Sequence, residues 1–243
     1  MEAFYVTDPG VDDWEYIRRN GWWYSPGTAG YDDVLKRGHP RPEDERTIFA
    51  ELYSPVTEDF LHRLGGLDDV PFLASERAAS CLEEVNLSGF LLGPVEVVKI
   101  ATTGRRRSRA VTGRGEPEDL ILKARDKISV VSVPRLFAVH VIGTVSVAYD
   151  HVTGKDPETG YGSPFELPEQ AEIPDLWQSS STKQPYVGWV FCSPRFEAIV
   201  EEARLTNIRF VPFREFMQDY RLELSRRAQA PLGWSGHIKS SSA

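Results

Sequence analysis

Apolar and polar positions are most legibly ordered between residues 71 and 98. The run Phe72-Leu73-Ala74 predicts a short strand, Ser75 offers an N-cap, and Ala78, Cys81, Leu82 and Val85 recur at helical spacing along ERAASCLEEV. Gly89 interrupts that period, and FLLGPVEVV predicts a second strand. The pattern returns 118 residues later. Set without a gap against residues 190–213, residues 72–95 give six identities in 24 pairs: Ser75 with Ser193, Arg77 with Arg195, Glu83 and Glu84 with Glu201 and Glu202, Leu87 with Leu205, and Pro94 with Pro212. Most other pairs keep their polarity. Gly89 aligns with Asn207, and these two residue types best tolerate a left-handed backbone after a helix. The pattern points to an internal copy of a strand–helix–strand unit; coincidence between two ordinary segments is the alternative.

Elsewhere the pattern is weaker. AFYVT at residues 3–7 predicts a first strand, ended by the turn cluster Asp8-Pro9-Gly10. Trp14, Tyr16, Trp22, Trp23, Tyr24 and Tyr31 fit core filling between short irregular elements, with base or sugar stacking as the second reading. Pro40-Arg41-Pro42 reads as an extended connection. Ser54-Pro55, followed by Glu58 and Asp59, predicts a helix that stops at Gly65-Gly66. ISVVSVP and FAVHVIGTVSVAY are dense in β-branched residues and predict strands. Residues 150–187 are punctuated by glycine and proline and read as a long loop. FREFMQDYRLELSRRAQ predicts a helix with Phe213, Phe216, Met217, Tyr220 and Leu224 on one side, and PLGWSGHIKSSSA a tail.

Composition narrows the class. With 243 residues, 41% hydrophobic and 26% charged, the chain can bury an ordinary globular core. A formal net charge of -8 argues against non-specific nucleic-acid binding, which needs a basic face. The opening MEAFYVTDPG has neither a basic start nor an apolar run, and no stretch reaches the roughly 20 apolar residues of a membrane helix. The expectation is a soluble, cytoplasmic protein that does not engage membranes.

The search for chemistry finds little. GxSxG, HExxH, P-loop and GxGxxG patterns are all missing. Cys81 and Cys192 form no CxxC pair, and the five histidines are scattered, so no metal site and no cofactor is implied. Both thiols read as reduced and half-buried. His140 lies in an apolar run and reads as a hydrogen-bonded core histidine; Asp150-His151, at the edge of the long loop, is better placed for catalysis but has no evident third member. The glutamate pairs are adjacent along a helix and so do not face each other, which suits a solvated surface. The balance is against an enzyme.

Arg105, Arg106, Arg107, Arg109 and Arg114 crowd into TTGRRRSRAVTGRG, a glycine-bounded loop. Three readings stand, in this order: a solvated loop paired with the chain's own acids, a protein-partner contact, and a nucleic-acid site. Arginine suits the second because its fork pairs carboxylates and its plane stacks on aromatics.

DLWQSSSTKQPYVGWVFCSPRFEAIVEEARLTNIRFVPFRE resembles the C-terminal part of bacterial immunity proteins from polymorphic-toxin systems, especially the myxobacterial-type double-CxxCG immunity family and its relatives. The resemblance lies in Asp175-Leu176-Trp177, the strand Val190 to Cys192, the helix start Ser193 to Phe196, the turn Leu205-Thr206-Asn207 and Phe210. SERAASCLEEVNLSGF is similar to the family's internal copy. The two copies cover about 50 of the 243 residues. Both CxxCG motifs are missing, so their zinc-type knuckles do not carry over, and Asn207 stands where the family has glycine. The resemblance implies a cytoplasmic protein that binds and blocks a cognate toxin, and it offers no catalytic residues.

Together these observations predict an α+β protein with two related strand–helix–strand units around a mixed or antiparallel sheet. It is a single domain over residues 1–243, or two lobes, 1–118 and 119–230, with a tail at 231–243. The leading function is toxin inhibition by protein–protein contact. Candidate contacts are the acids Asp12, Asp13, Asp32, Asp33, Asp156 and Glu158, with Glu43 to Glu45, and the arginines Arg105, Arg106, Arg107 and Arg109. The acids suit a basic partner such as a nuclease. The rivals are a hydrolase or transferase using Asp150-His151 and the Trp/Tyr-rich region, and a nucleic-acid or regulatory binder using the arginine loop.

Overall fold

The computed structural model describes residues 2–9, 19–53, 58–63, 70–100, 135–149, 165–167, 172–180 and 189–229. The first part of the chain supplies β1 (Phe4–Thr7), β2 (Gly21–Tyr24), α1 (Ala29–Lys36), β3 (Ile48–Leu52), β4 (Phe60–His62), β5 (Phe72–Ser75), α2 (Glu76–Glu84) and β6 (Phe90–Ile100). The second supplies β7 (Leu136–Val141), β8 (Thr144–Ser146), β9 (Ala148–Tyr149), β10 (Phe165–Glu166), β11 (Leu176–Ser180), β12 (Val190–Cys192), α3 (Pro194–Glu202), β13 (Arg209–Pro212) and α4 (Phe213–Gln229). The fold is α+β, with antiparallel and mixed pairing.

The aligned segments fold alike. Ser75 Oγ accepts a hydrogen bond from the Ala78 amide at 3.1 Å and opens α2; Ser193 Oγ accepts from the Phe196 amide at 3.2 Å and opens α3, with Pro194 in the first turn. Each helix buries one face: Ala78, Ala79 and Leu82 in α2, Phe196 and Val200 in α3. After each helix the backbone turns left-handed twice, at Asn86 and Gly89 in one copy and at Arg204 and Asn207 in the other.

The similarity reaches beyond the helices. Phe60 opposes Ala74 in the β4–β5 pair as Leu176 opposes Cys192 in β11–β12. The strand lying between β5 and β6 is β7, with Ala74 opposite Phe137 and Phe137 opposite Pro94. The strand lying between β12 and β13 is β1, with Cys192 opposite Phe4 and Phe4 opposite Pro212. So β7 and β1 hold equivalent places, and each sits in the sheet of the other copy: β1 comes from the start of the chain yet completes the sheet of β11–β13. The two sheets therefore do not follow the two halves of the chain. After β1 the chain returns to the first sheet as β2, and after β7 it enters the second as β8, the strand beside β11.

In the first copy the order β2-β3-β6-β7-β5-β4 is closed by a bridge between Gly21 and Arg63, so the strands wrap around Trp23, Ile48, Ala50, Leu52, Leu61, Leu73 and Ala138. The second sheet, β13-β1-β12-β11-β8, buries Trp177, Phe191 and Phe165 beneath α4 through Phe213 and Met217. Between the sheets, α2 and α3 share one core. Its members come in equivalent pairs, such as Leu82 with Val200, Leu87 with Leu205, and Val139 with Val6.

Three expectations are corrected. Residues 150–187, read as a long loop, carry β10 and β11, because Leu176–Ser180 pairs with both β12 and β8. The helix read from Ser54-Pro55 is not continuous to Gly65, because Phe60-Leu61-His62 is strand β4; Asp59 anchors that strand instead of starting a helical turn. The Trp/Tyr-rich stretch is regular in part. Trp22, Trp23 and Tyr24 belong to β2, and α1 follows, capped by the Thr28 hydroxyl. The predicted FREFMQDYRLELSRRAQ helix is α4. ISVVSVP, the arginine loop, Asp150-His151 and the 231–243 tail lie outside the described residues.

Candidate functional site

The surface between the copies is held by two equivalent polar clamps. Asp59, buried just before β4, accepts from Ser75 Oγ (3.0 Å) and Arg77 Nη1 (2.7 Å) in its own copy. It also accepts from the Thr206 amide (3.0 Å) in the other, while the Asp59 amide donates to Thr206 Oγ1 (3.0 Å). Asp175, buried just before β11, accepts from Ser193 Oγ (2.8 Å) and Arg195 Nη1 (3.4 Å), and from the Ser88 amide (2.8 Å) across the interface. Its own amide donates to Ser88 Oγ at 3.1 Å. Both arginines reach further. Arg77 donates to the carbonyl of Ala203 at the end of α3, and Arg195 to that of Val85 at the end of α2, 2.6 Å away. Neither helix has a basic residue in its last turn, so each receives its C-terminal cation from the other copy.

Glycine and asparagine serve the same turn by different means. A Cβ on Gly89, whose φ is 90°, would stand 2.0 Å from the carbonyl oxygen of Leu176. At the matching place Asn207 extends its amide, donating to the Phe60 carbonyl at 2.7 Å and to Asn20 Oδ1 at 3.0 Å. The Asn207 carbonyl accepts from His62 Nε2 at 2.8 Å, which fixes the proton on that nitrogen. His62 is half-buried, and that burial pulls its pKa below the ordinary 6.5. As pH falls the unfolded chain takes up this proton first, so stability is full above 6.5 and declines below it. Urea unfolding at pH 7.5 and 5.5 should show a loss of up to about 1.4 kcal/mol per pH unit from this group. His62→Gln, the residue found at the matching position Gln178, should flatten that part of the profile; an unchanged slope would refute the assignment.

These groups are occupied in holding the fold. Burial raises both thiols, Cys192 strongly, so neither is primed as a nucleophile. His140 lies on β7, where the sequence predicts a core histidine, but it is only half-buried there. Glu51, buried on β3, pairs with Arg37 at 2.8 Å and lies 3.9 Å from Lys99; Tyr24 nearby is pushed up to about 12, chiefly by burial and then by Glu51. Among the described residues no group of three or more His, Cys, Asp or Glu is placed to hold a metal ion, and no helix is long and apolar enough to cross a membrane.

The outward face is acidic. Asp32 and Asp33 are exposed on α1, with Asp33 tied loosely to Lys36 at 3.0 Å. Glu83 and Glu84 on α2 and Glu201 and Glu202 on α3 are exposed and make no ion pair among the described residues. Arg77 and Arg195, in the first turns of the same two helices, are committed to buried aspartates. Asp12, Asp13, Asp156, Glu158, Arg105, Arg106, Arg107 and Arg109 lie outside the described residues. Of the expected contact residues the structure thus places Asp32, Asp33 and Glu43 to Glu45, with Glu43 and Glu45 exposed and Asp44 paired with Arg46 at 3.0 Å, and it adds the two glutamate pairs. Asp59 and Asp175 were hidden in the sequence because they stand 116 positions apart, not 118. The repeated Asp followed by an apolar strand is the signal that finds them.

No protein-family model matches the chain, and no curated protein does either.

Proposed function

We propose that the protein is an inhibitor that acts by binding a cognate basic protein, a toxin, in the cytoplasm. The observation that carries this reading is the duplicated acidic face. Each central helix ends in two exposed glutamates that make no ion pair among the described residues, while the arginine in its first turn pairs with a clamp aspartate. Unpaired surface acid of this kind speeds encounter with a basic partner and sets its orientation. A frame clamped at both ends also presents that surface with little ordering cost on binding. The resemblance to immunity proteins supports the same partner class.

The test is affinity capture from the host of origin, with nuclease added and moderate salt, followed by expression of the captured partner. One stoichiometric protein, lethal alone and harmless beside this chain, is the expected result. Capture of nuclease-sensitive material alone, or of no partner, overturns the reading. Replacing Glu83, Glu84, Glu201 and Glu202 with lysine should slow association with that partner about tenfold or more at low salt, with the difference shrinking as salt rises.

A further inference from the structure

The two copies part company at one seam. In the first copy β3 runs parallel to the second half of β6, with Ile48 opposite Val95 and Leu52 opposite Ile100, and this pairing joins β2 and β3 to the sheet that the Gly21–Arg63 bridge closes. The second copy carries the same strands up to that point. Its Ala148–Glu166 pair matches Tyr24–Phe49, so Phe165 takes the place of Ile48; the 118-residue offset puts Phe213 at the place of Val95. Both inward residues are present, their rings 5.4 Å apart. What differs is the next stretch. From Val95 the first copy continues as a strand to Ile100, whereas at Phe213 the second turns into α4. Among the described residues the one strand neighbour of β10 is β9.

A groove of about 800 Å³ follows this seam, which no strand closes among the described residues. Leu167 lines it half-exposed, and Phe165, Phe213 and Met217 border it as buried residues. Glu2 and Arg214 also line it and make no ion pair among the described residues, while Arg221 and Glu166 approach only to 3.8 Å.

We propose that this seam binds an extended segment of a partner protein, taken up as a strand parallel to β10. The first copy shows the occupant's chemistry: Val95-Glu96-Val97-Val98-Lys99-Ile100, apolar toward the barrel with one acid and one base along its length. An acid on the incoming strand meets Arg214, a base meets Glu2, and an apolar side chain covers the half-exposed Leu167. Backbone hydrogen bonds to β10 supply affinity, and the alternating side chains supply selection. The proposal extends the protein-binding reading, but its test needs no toxin.

The probe is a fluorescein-labelled peptide of residues 93–100, GPVEVVKI, titrated with the full chain and followed by anisotropy. Saturable binding below about 1 mM is expected. It should weaken about tenfold when alternate peptide nitrogens are methylated, and likewise in Leu167→Arg, whose arginine fills the groove. Arg214→Glu, an exposed change that spares the core, should weaken it measurably and so guards against a folding defect in the first variant. No saturable binding, equal binding of the methylated peptide, or indifference to both variants overturns the proposal. So does binding by a chain ending at Gln229 but not by the full chain, since the seam would then belong to the protein's own C-terminal segment. A toxin captured while the peptide fails removes the seam and leaves the inhibitor reading; the reverse removes the inhibitor reading alone.

Discussion

Replacing Gly89 with alanine is expected to cost about 4 kcal/mol or more of folding stability, at the extreme of single substitutions. Two effects combine. The backbone there is at φ 90°, which a side chain strains. The new methyl would also stand 2.0 Å from the Leu176 carbonyl oxygen and 2.8 Å from Pro174 Cβ, so β11 would have to move. That strand is paired on both sides, with β12 and β8, and its displacement propagates through the second sheet. Gly89→Asn should fare no better, although asparagine occupies the matching place in the other copy. Asn207→Gly should cost only about 1–2 kcal/mol, because it keeps the backbone conformation and loses two hydrogen bonds. Urea denaturation of the three variants checks the order. A stable Gly89→Asn protein would show that the two turns are interchangeable and the close approach to Leu176 unimportant.

The second large effect is expected from the clamps. Asp59→Ala and Asp175→Ala should each destabilise by about 2–3 kcal/mol, the range for charge-assisted hydrogen bonds lost from a buried acceptor. The full penalty of breaking a buried ion pair does not apply, since Arg77 and Arg195 are more than half exposed and can turn to water. The serine caps and the opposite copy's threonine or serine amide lose their acceptor as well. Asp44→Ala is the control: Asp44 also holds an arginine, Arg46, at 3.0 Å, but at the surface, and its loss should cost under about 0.5 kcal/mol. If Asp59→Ala behaves like Asp44→Ala, the clamps do not hold the copies together.

The strand–helix–strand units were legible because their signals are local. Serine caps, apolar spacing and a left-handed turn residue all lie within one short window, and the offset of 118 is constant across it. The rest of the repeat was not legible, for physical reasons. The hairpin loop between His62 and Phe72 is two residues shorter than that between Gln178 and Val190, which shifts Asp59 and Asp175 out of register. The exchanged strands share only Phe4 with Phe137, Val6 with Val139 and Gly10 with Gly143, at a different offset again, and a strand's place in a sheet is set by partners far along the chain. The 54–65 segment carried sound helix signals, but pairing of Phe60–His62 with β5 outweighed them. Helix α1 buries only Tyr31 and Val34, too few to stand out. The acidic character of the surface was readable from charge alone. Which acids remain unpaired was not, since that depends on where Arg77 and Arg195 are spent.

The exchange of β1 and β7 has a consequence for synthesis on the ribosome. Phe4 pairs with Cys192 and Pro212, so β1 waits for strands 188 and 208 residues further along the chain. At about 5–20 residues per second, that interval is on the order of 10–40 s. Meanwhile β5 and β6 lack β7, which separates them, so the leading half emerges with two unsatisfied strand edges and no finished sheet of its own. Neither half can be completed before the other is well advanced. Maturation is therefore a late, concerted event of high contact order, and an interrupted chain is a substrate for chaperones and proteases, not a half-active product.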